Sequence, residues 1–214
     1  SRAIQDHLLE VKKAGERSAD LTRQLLAFAR KQTVTPKVLD LNETIDTMHK
    51  MLERLIGEHI DFVWKPGENL SRVNMDPGQI DQLLANLTVN ARDAIGSGTG
   101  KVTLETANSV IDEALCRENP GLKKGDYVTI SVTDDGCGMT SETVSHVFEP
   151  FYTTKDGGKG TGLGLATVYG IVTQNRGFIG VESEPGRGTA FRIRLPAHTE
   201  GERPKRVENS YTPS

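Results

Sequence analysis

The chain has little cysteine, few aromatic residues and no strong excess of charge of either sign. Its 214 residues include two cysteines, 5% aromatic side chains and a formal net charge of −3. Cys116 and Cys137 lack the spacing of a metal site, so a reduced, cytosolic context is the default. A small negative net charge disfavours nucleic acid or an anionic membrane as the main partner.

Long apolar runs and a signal-peptide pattern are also missing, and no stretch approaches the length of a membrane-spanning helix. The composition that is present, 36% hydrophobic and 26% charged residues, is typical of a soluble globular protein. We expect one good-sized domain with an appendage. Because the sequence opens at Ser1 in a helix-like stretch, we expect a cytoplasmic piece of a longer protein, whose other parts include any sensing or membrane-anchoring segment.

Four segments of different character follow one another along the chain. Residues 1–31 carry apolar side chains at a spacing of three and four, which predicts an amphipathic helical arm that needs helical partners. Residues 32–41 form a linker in which Pro36 stops the helix. Residues 42–197 form a mixed α/β domain, and the polar residues 198–214 are predicted to be a disordered tail.

Within the α/β domain, caps and periodicity predict an ordered series of elements. One long helix begins at Asp40 or Asn42 and ends at Gly57, and a second runs from Pro77 to Ile95. Strands are predicted at 59–64, 101–107 and 127–134, with a long polar loop between the last two. A short helix is predicted to be capped by Ser141 and to end at Val147, and a hairpin is predicted from 178–183 and 188–195.

The second long helix carries a polar stripe beside its apolar one. Asn86, Asn90 and Asp93 stand at i, i+4 and i+7 and therefore share one face. A solvated helix face is the ordinary interpretation, but asparagine and aspartate are poor residues in the middle of a helix. An asparagine carboxamide oxygen is a ligand for a hard cation such as Mg²⁺, so the stripe is a candidate ligand-binding face.

Two glycine-rich turns follow, "DDGCGM" at 134–139 and "GKGTGLGLA" at 158–166. The second turn leads into an apolar helix, and bare backbone N–H groups at such a start attract phosphate. It does not match the P-loop, which requires Ser or Thr after Gly-Lys, or the three-glycine dinucleotide pattern. In the first turn, Asp134 can accept a hydrogen bond from an exocyclic amine, although turns of Asp and Gly are common.

Between the two turns, "FEPFYTTK" at 148–155 supplies aromatic side chains and a cation. Phe148 and Phe151 also fit the role of core anchors, and Lys155 fits that of a solvated lysine. Cys137, inside the first turn, is interpreted as a small buried side chain. Each of these pieces alone is a weak signal of function.

Together and in this order, the pieces resemble the N, G1, F and G2 boxes of the ATP-binding domain of sensor histidine kinases, within the wider GHKL ATPase group. The resemblance covers residues 38–196, and the stretch from Phe148 to Val172 is similar to the nitrogen-sensor and cell-cycle hybrid kinase branch. It implies an α+β fold of Bergerat type, a two-layer sandwich whose mixed, mainly antiparallel sheet is covered by helices. Residues 16–42 resemble the second helix of the family's dimerisation hairpin plus the linker that follows it, which implies a homodimer in the parent protein.

The resemblance also implies a site for ATP and Mg²⁺. Asn90 would bind the metal, with Asn86 supporting it one turn earlier, and Asp134 would accept a hydrogen bond from the adenine amine. The other implied ATP-binding residues are Asp93, Gly136, Gly138, Phe148, Lys155, Gly160, Thr161, Gly162, Leu163, Gly164 and Thr189. Among them, the glycine-rich residues would offer backbone N–H groups to the phosphates, and residues 149–161 would form a lid. The implied catalytic residues are Asn86, Asn90 and Lys155.

Two positions depart from the family's pattern. Many members carry Lys or Arg at the position of Asp93, where the cation contacts phosphate, so that charge would fall to Lys155, and Asp93 would orient Asn90 or a bound water. Members that hydrolyse ATP carry Glu at the position of Asn86, and an asparagine cannot act as a general base. The resemblance therefore implies that ATP is held for another nucleophile rather than rapidly hydrolysed.

The implied reaction in the parent protein is transfer of the γ-phosphoryl group of Mg-ATP to a histidine, and then to an aspartate of a response-regulator receiver domain. The implied partners are ATP, that receiver domain and a second copy of the parent protein, with no nucleic acid and no direct membrane contact. Two alternatives stay open: a GHKL ATPase that hydrolyses ATP for conformational work, and a non-catalytic pseudokinase scaffold. A serine kinase of the anti-sigma type shares the core, but the helical arm argues against it.

None of the five histidines is a convincing phosphoacceptor. His7 lies on the arm, at the start of the second hairpin helix, without the residues that usually follow the family's acceptor histidine. His49, His59, His146 and His198 are interpreted as ordinary surface or packing histidines. We therefore expect this chain to lack its own acceptor.

Overall fold

A computed structural model describes residues 35–119, 121–155 and 160–199 of the chain. The predicted arm at 1–31, the start of the linker and the tail from residue 200 onward lie outside these ranges, as does part of the predicted lid, residues 156–159. In the described ranges, no helix combines the length and the apolar character needed to cross a membrane.

A five-stranded mixed sheet forms the centre of the domain. Its strands are β2 (Ile60–Lys65), β4 (Gly100–Ile111), β5 (Gly125–Asp134), β6 (Phe178–Glu184) and β7 (Gly188–Pro196). They are arranged in the order β2-β4-β5-β7-β6, with β2 parallel to β4 and the other neighbours antiparallel. Two short strands, β1 (Lys37–Leu39) and β3 (Val73–Met75), form a separate antiparallel pair.

Three longer helices cover one face of the sheet: α1 (Leu41–Ile56), α2 (Pro77–Ile95) and α5 (Gly164–Gln174). Two short helices, α3 (Glu113–Glu118) and α4 (Ser141–His146), lie in the connections. Helix α2 occupies the middle position, because it contacts both α1 and α5. The predicted fold class, an α+β two-layer sandwich with a mixed, mainly antiparallel sheet, is confirmed.

Alternation along the central strands decides which side chains enter the core. Ile130 on β5 and Ile193 on β7 stand opposite each other in the register, and both are fully buried. Their neighbours in sequence, such as Ser131 and Arg192, are only partly buried, because successive side chains point to opposite faces of the sheet. Burial of each large aliphatic side chain stabilises the fold by about 1.5–3 kcal/mol.

Helix α1 has a cap at each end. Asp40 is its N-cap, and one carboxylate oxygen accepts hydrogen bonds from the amides of Asn42 and Glu43 at 2.9 and 3.3 Å. Gly57, at φ +92°, ends the helix. Of the two residues that the sequence offered as a cap, the structure therefore uses Asp40, and Asn42 instead donates a hydrogen bond from its side chain to a loop carbonyl.

Helix α2 starts at the predicted Asp76-Pro77 pair. One carboxylate oxygen of Asp76 accepts from the Gly78 amide at 2.8 Å, and the other accepts from the Thr35 amide at 2.7 Å. Its buried apolar residues share one side of the helix and are Ile80, Leu83, Leu84, Leu87 and Ala91. The polar stripe that the sequence predicts is thereby held on a different side of the same helix.

The prediction of one long polar loop between residues 107 and 127 is wrong. Strand β4 continues to Ile111, β5 begins at Gly125, and α3 stands between them with Asp112 as its N-cap. Ile111, Leu122 and Tyr127 form a second, smaller apolar cluster with side chains of α3. This cluster stabilises the extended strand ends, and the polar local sequence does not indicate it.

The short helix α4 begins one residue earlier than predicted. Thr140, not Ser141, is the N-cap, since its hydroxyl accepts a hydrogen bond from the Thr143 amide at 3.2 Å. The helix ends at His146 rather than at Val147. Both residue types favour caps, so the local sequence does not distinguish the two positions.

Replacing Asp76 with alanine should lower the free energy of unfolding by about 1–2 kcal/mol, because α2 loses its N-cap. The measurement is urea denaturation followed by the fluorescence of Trp64, the one tryptophan of the sequence. Asp61→Ala is the matched control, since Asp61 is an exposed aspartate on β2, and it should change stability by less than about 0.5 kcal/mol. An equally small effect of Asp76→Ala would contradict the capping role.

Candidate functional site

A cavity of about 610 Å³ opens between α2, α5, the turn after β5 and the segment that follows α4. Every residue predicted to bind ATP lines this cavity except Gly136 and Phe148. Residues more than 100 positions apart in the sequence are thus brought to one wall, for example Asn86 and Thr189. A wider, shallow depression of about 960 Å³ at the end of α1 contains none of the predicted site residues.

Asp134 lines the cavity as the last residue of β5, with only 5% of its surface exposed. One of its carboxylate oxygens accepts a hydrogen bond from the Gly136 amide at 2.9 Å. Burial raises the pKa of Asp134 to about 6, although hydrogen bonds from the backbone of Gly136 and Thr189 act in the opposite direction. The carboxyl group is therefore costly to ionise in the folded chain, which is typical of a functional side chain.

The turn after Asp134 is held against the β6–β7 hairpin. Gly138 has φ +67°, and a Cβ at this position would overlap the backbone carbonyl of Glu184, so only glycine fits. The Gly186 amide donates a hydrogen bond to the Cys137 carbonyl at 2.7 Å, and the Met139 amide donates to the Ser183 hydroxyl at 2.8 Å. These contacts fix one wall of the cavity on the rigid sheet.

Two predicted residues lie behind the cavity wall rather than on it. Gly136 packs closely against the backbone of Ala94, since a Cβ on Gly136 would lie 2.7 Å from the Ala94 carbonyl carbon. The Phe148 ring packs against Tyr169 and Phe191, with ring centroids 5.6 and 6.4 Å away. The structure therefore gives both residues a packing contact, and direct contact with a ligand stays a prediction.

Asn90 lines the cavity from α2 and has an unsatisfied group. Its side-chain nitrogen Nδ2 is buried and has no hydrogen-bond partner among the described residues. A buried donor without a partner costs about 1–3 kcal/mol of folding free energy. A Cβ on Gly164 would lie 3.8 Å from Asn90 Nδ2 and from Asn86 Oδ1, so the start of α5 faces the polar stripe.

The start of α5 offers further backbone donors, because the first N–H groups of a helix have no partner within it. Its N-cap is Leu163, which provides no side-chain hydrogen bond to the first amides of the helix. Gly162 precedes it at φ +66°, and its carbonyl accepts a hydrogen bond from the Phe151 amide at 2.9 Å. Free N–H groups at the N-terminus of an 11-residue helix, beside the Asn90 donor, are suited to an anion.

Lys155 places a positive charge beside Asn90. Its ammonium nitrogen lies 2.6 Å from Asp93 Oδ2 and 3.5 Å from Asn90 Oδ1. Partial burial would raise the pKa of Asp93, but hydrogen bonds and charge from Lys155 and Arg92 outweigh it and lower that pKa. In the structure the Asp93 carboxylate contacts Lys155 and Arg92, and its role in orienting Asn90 or a bound water stays a prediction.

The cavity also contains residues that sequence reasoning missed. Tyr152 and Met139 line it, and their place inside the two motifs is a signal that could have identified them. Thr143 and Val147 line it from α4 and the residues after it, where the local sequence carries no signal. Cys137 lines it and is exposed, so its interpretation as a small buried side chain is wrong.

The four described histidines lie outside the cavity wall. His49 stacks on Phe62, with ring centroids 5.4 Å apart, and His59 contacts the Gly96 carbonyl at 3.2 Å. His146 contacts a carboxylate oxygen of Glu149 at 2.8 Å. The amide of His198 donates to the Arg72 carbonyl. His7 lies outside the described residues.

The donor set fits a metal-bound nucleotide better than a metal ion alone. In the described ranges, no group of three or more His, Cys, Asp or Glu side chains is placed to hold a metal. A hard cation at Asn90 would therefore need further oxygen ligands, and phosphate groups are the usual source for Mg²⁺. The cavity offers a buried acceptor at Asp134 and, around Asn90, a donor and the Lys155 cation.

Comparison with protein families gives one match over most of this region. A model described as histidine kinase-, DNA gyrase B- and HSP90-like ATPase matches residues 75–199. This range contains α2, both glycine-rich turns and the β6–β7 hairpin.

Curated relatives and solved structures agree with this match. Sensor kinase CckA of Brucella abortus (strain 2308) is 44% identical over 196 residues, 92% of this chain and 21% of that protein. Sensor histidine kinase ZraS of Salmonella typhi is 32% identical over 185 residues, 86% of this chain and 36% of that protein. Full-length ShkA in complex with AMPPNP matches with a TM-score of 0.65 at 25% identity, over 91% of this chain and 39% of ShkA. The chain thus spans about a fifth to about a third of the length of these curated relatives.

Replacing Asp134 with asparagine should stabilise the ligand-free chain at pH 7 by up to about 3 kcal/mol, because a pKa raised from 3.8 to about 6 opposes ionisation. The wild type is expected to lose this stability as the pH rises from about 4 to about 6, whereas the variant is not. The measurement is urea denaturation of both proteins at several pH values.

Asp126→Asn, at the exposed opposite end of β5, is the control for loss of a negative charge. A stability difference between Asp134→Asn and the wild type that stays constant from pH 4 to pH 7 would show that ionisation of Asp134 is not its cause.

Proposed function

The chain belongs to the histidine kinase-, DNA gyrase B- and HSP90-like ATPase family, and from this membership we propose that it is the ATP-binding catalytic domain of a sensor histidine kinase. In the whole protein it would transfer the γ-phosphoryl group of Mg-ATP to a histidine, for relay to an aspartate of a receiver domain. The observation that carries the proposal is the polar lining of the cavity, which includes the buried carboxyl group of Asp134 and the Asn90 side-chain donor that has no partner among the described residues.

The end of the cavity at Asp134 would hold adenine. A carboxylate oxygen of Asp134 would accept a hydrogen bond from the exocyclic amine, and Thr189, which stands opposite in the register, would support that contact. The glycine turn at 136–138 gives a flat ring close access to the backbone. A carboxylate that is desolvated and anchored in this way discriminates strongly against a base without the amine, because its acceptor would then be left unpaired.

The other end would hold the phosphates. The free amides at the start of α5, the Asn90 side chain and Lys155 converge there, and all three types of group favour oxyanions. Mg²⁺, when bound at Asn90 and the phosphates, would neutralise charge that builds up during transfer. Asn86, one turn earlier on α2, would support the Mg²⁺ site at Asn90.

The site favours transfer to another nucleophile over hydrolysis. Among the described residues that line the cavity, the carboxylates are Asp93 and Asp134. Asp134 belongs to the adenine end, and Asp93 is bound by two cations. Asn86 cannot act as a general base for water, which supports the kinase over the ATPase alternative.

The partners follow from the same proposal. The acceptor histidine would come from another segment of the whole protein, and the receiver domain would then take the phosphoryl group. Dimerisation through the arm at residues 1–31 would bring a second copy close to this site. Because ATP is a cytoplasmic substrate, we place the domain in the cytoplasm and leave membrane anchoring to other segments of the protein.

The proposal is tested by calorimetric titration with a non-hydrolysable ATP analogue and Mg²⁺. Wild type should bind, and Asp134→Ala should bind at least about 10-fold more weakly, because it loses a hydrogen bond to a charged acceptor. Asn90→Ala should lose most of the dependence on Mg²⁺. Affinity should also fall below about pH 6, where Asp134 becomes protonated in the free chain.

Absence of binding by the wild type at millimolar analogue would overturn the proposal and favour the scaffold alternative. Binding accompanied by steady phosphate release from ATP, lost in Asn86→Ala, would instead favour the ATPase alternative.

Gly164→Ala should weaken nucleotide binding by about 10-fold or more without loss of stability. The new methyl group would face Asn86 and Asn90 in the cavity, 3.8 Å from each side chain, and the residue has no strained backbone angle. Gly170→Ala on the same helix is the matched control, since its methyl group would meet no atom within 4 Å. Both variants gain helix propensity, so thermal unfolding should show equal or higher stability for both. Equal nucleotide affinity in the two variants would contradict the placement of the phosphates at Gly164.

A further inference from the structure

The ion pair between Lys155 and Asp93 occupies the part of the cavity where the proposed metal would bind. One ammonium nitrogen lies within 3.5 Å of both Asp93 Oδ2 and Asn90 Oδ1. These two oxygens are the carboxylate and carboxamide ligands that a hard divalent cation prefers. We infer that Lys155 and the divalent metal compete for this oxygen pair, and that Asp93 is a positioning residue that holds Lys155 there.

Asp93 is itself fixed from the other side. Arg92 donates to Asp93 Oδ1 from Nη2 at 2.9 Å and from Nε at 3.2 Å, and its Nη1 donates to the Leu55 carbonyl at 2.9 Å. The guanidinium group thus ties Asp93 to the end of α1 and leaves only Oδ2 for Lys155. A carboxylate placed between two cations stays ionised at neutral pH, in agreement with its lowered pKa.

Two cations cannot share the oxygen pair without a penalty. An ammonium group and a divalent ion a few ångströms apart repel each other strongly in a partly desolvated site. A bound divalent metal would therefore displace Lys155 from Asn90 and Asp93, and the long lysine side chain would turn to the phosphates of the proposed nucleotide. When no metal is present, Lys155 remains the cation of this end, since it is the one Lys or Arg among the described residues that line the cavity.

This arrangement predicts opposite effects of one substitution on two ligands. Lys155→Met should strengthen the binding of a divalent ion on its own, because it frees the carboxylate and carboxamide oxygens. The same variant should weaken the binding of metal-free nucleotide, because the phosphates lose their cation. A lysine that merely stabilised the fold, or merely contacted phosphate, would not improve metal binding.

The test measures free Mn²⁺ by electron paramagnetic resonance in titrations without nucleotide. Lys155→Met should bind Mn²⁺ at least about 5-fold more tightly than wild type, and the double variant Lys155→Met/Asp93→Asn should return to the wild-type level. Lys65→Met is the matched control, since Lys65 is also paired with a carboxylate, Glu105, at 2.7 Å, but lies outside the cavity. No gain in Lys155→Met, or an equal gain in Lys65→Met, would overturn the inference.

A second titration with ADP uses Mg²⁺ or a chelator. The ratio of the two ADP dissociation constants, with chelator over with Mg²⁺, should rise about 10-fold or more in Lys155→Met. Equal weakening under both conditions would contradict the exchange of cations. The inference concerns the metal end of the proposed nucleotide site and rests on that function, but the Mn²⁺ titration needs no nucleotide. If wild type bound no ADP under either condition, the proposed function would fail while the Mn²⁺ result still decided the competition.

Discussion

Helix α2 has to meet an apolar core on one side and a polar cavity on another, and the remainder of the structure depends on that division. Its core side is packed by α1, α5 and the sheet, so the helix cannot turn about its axis without exposing Ile80 or Leu84. The direction of Asn90 is therefore set by apolar packing elsewhere on the helix. This explains how the cavity can keep an unsatisfied donor, since the stability of α2 does not come from the polar stripe.

The cavity lining contains two groups that make folding less favourable. Asp134 is buried with a raised pKa, and Asn90 Nδ2 is buried without a partner among the described residues. One elongated ligand with a hydrogen-bond donor at one end and anionic acceptors at the other would relieve both costs at once. A pure scaffold would gain nothing from either group, and replacement by apolar or satisfied residues would stabilise it. The two costs together therefore argue for a ligand that binds along the cavity.

The sequence was sufficient to predict the features that depend on local chemistry. Three such features are the helix start at Asp76-Pro77, the alternation in β7 and the need for glycine at position 138. Each follows from neighbouring residues and backbone geometry. Strand β3 was not predicted, because three residues become a strand only through their pairing with β1. The contact between Asp93 and Lys155 joins residues 62 positions apart, and only the fold brings them together. For the same reason, the motif could not show that Phe148 packs behind the cavity wall.

The charges around Asn90 also bear on which nucleophile the site can serve. A water molecule needs a base to remove its proton, but both oxygens of Asp93 are bound by cations, and Asp134 is the proposed adenine contact. A neutral imidazole differs from water, because one ring nitrogen has a free lone pair and attacks without first losing a proton. A cavity in which Lys155 supplies the positive charge, and in which no described lining carboxylate stands free beside Asn90, therefore favours a histidine acceptor over water. The Arg92–Asp93–Lys155 chain strengthens this preference, since it occupies both oxygens of Asp93 and holds the positive charge of Lys155 beside Asn90.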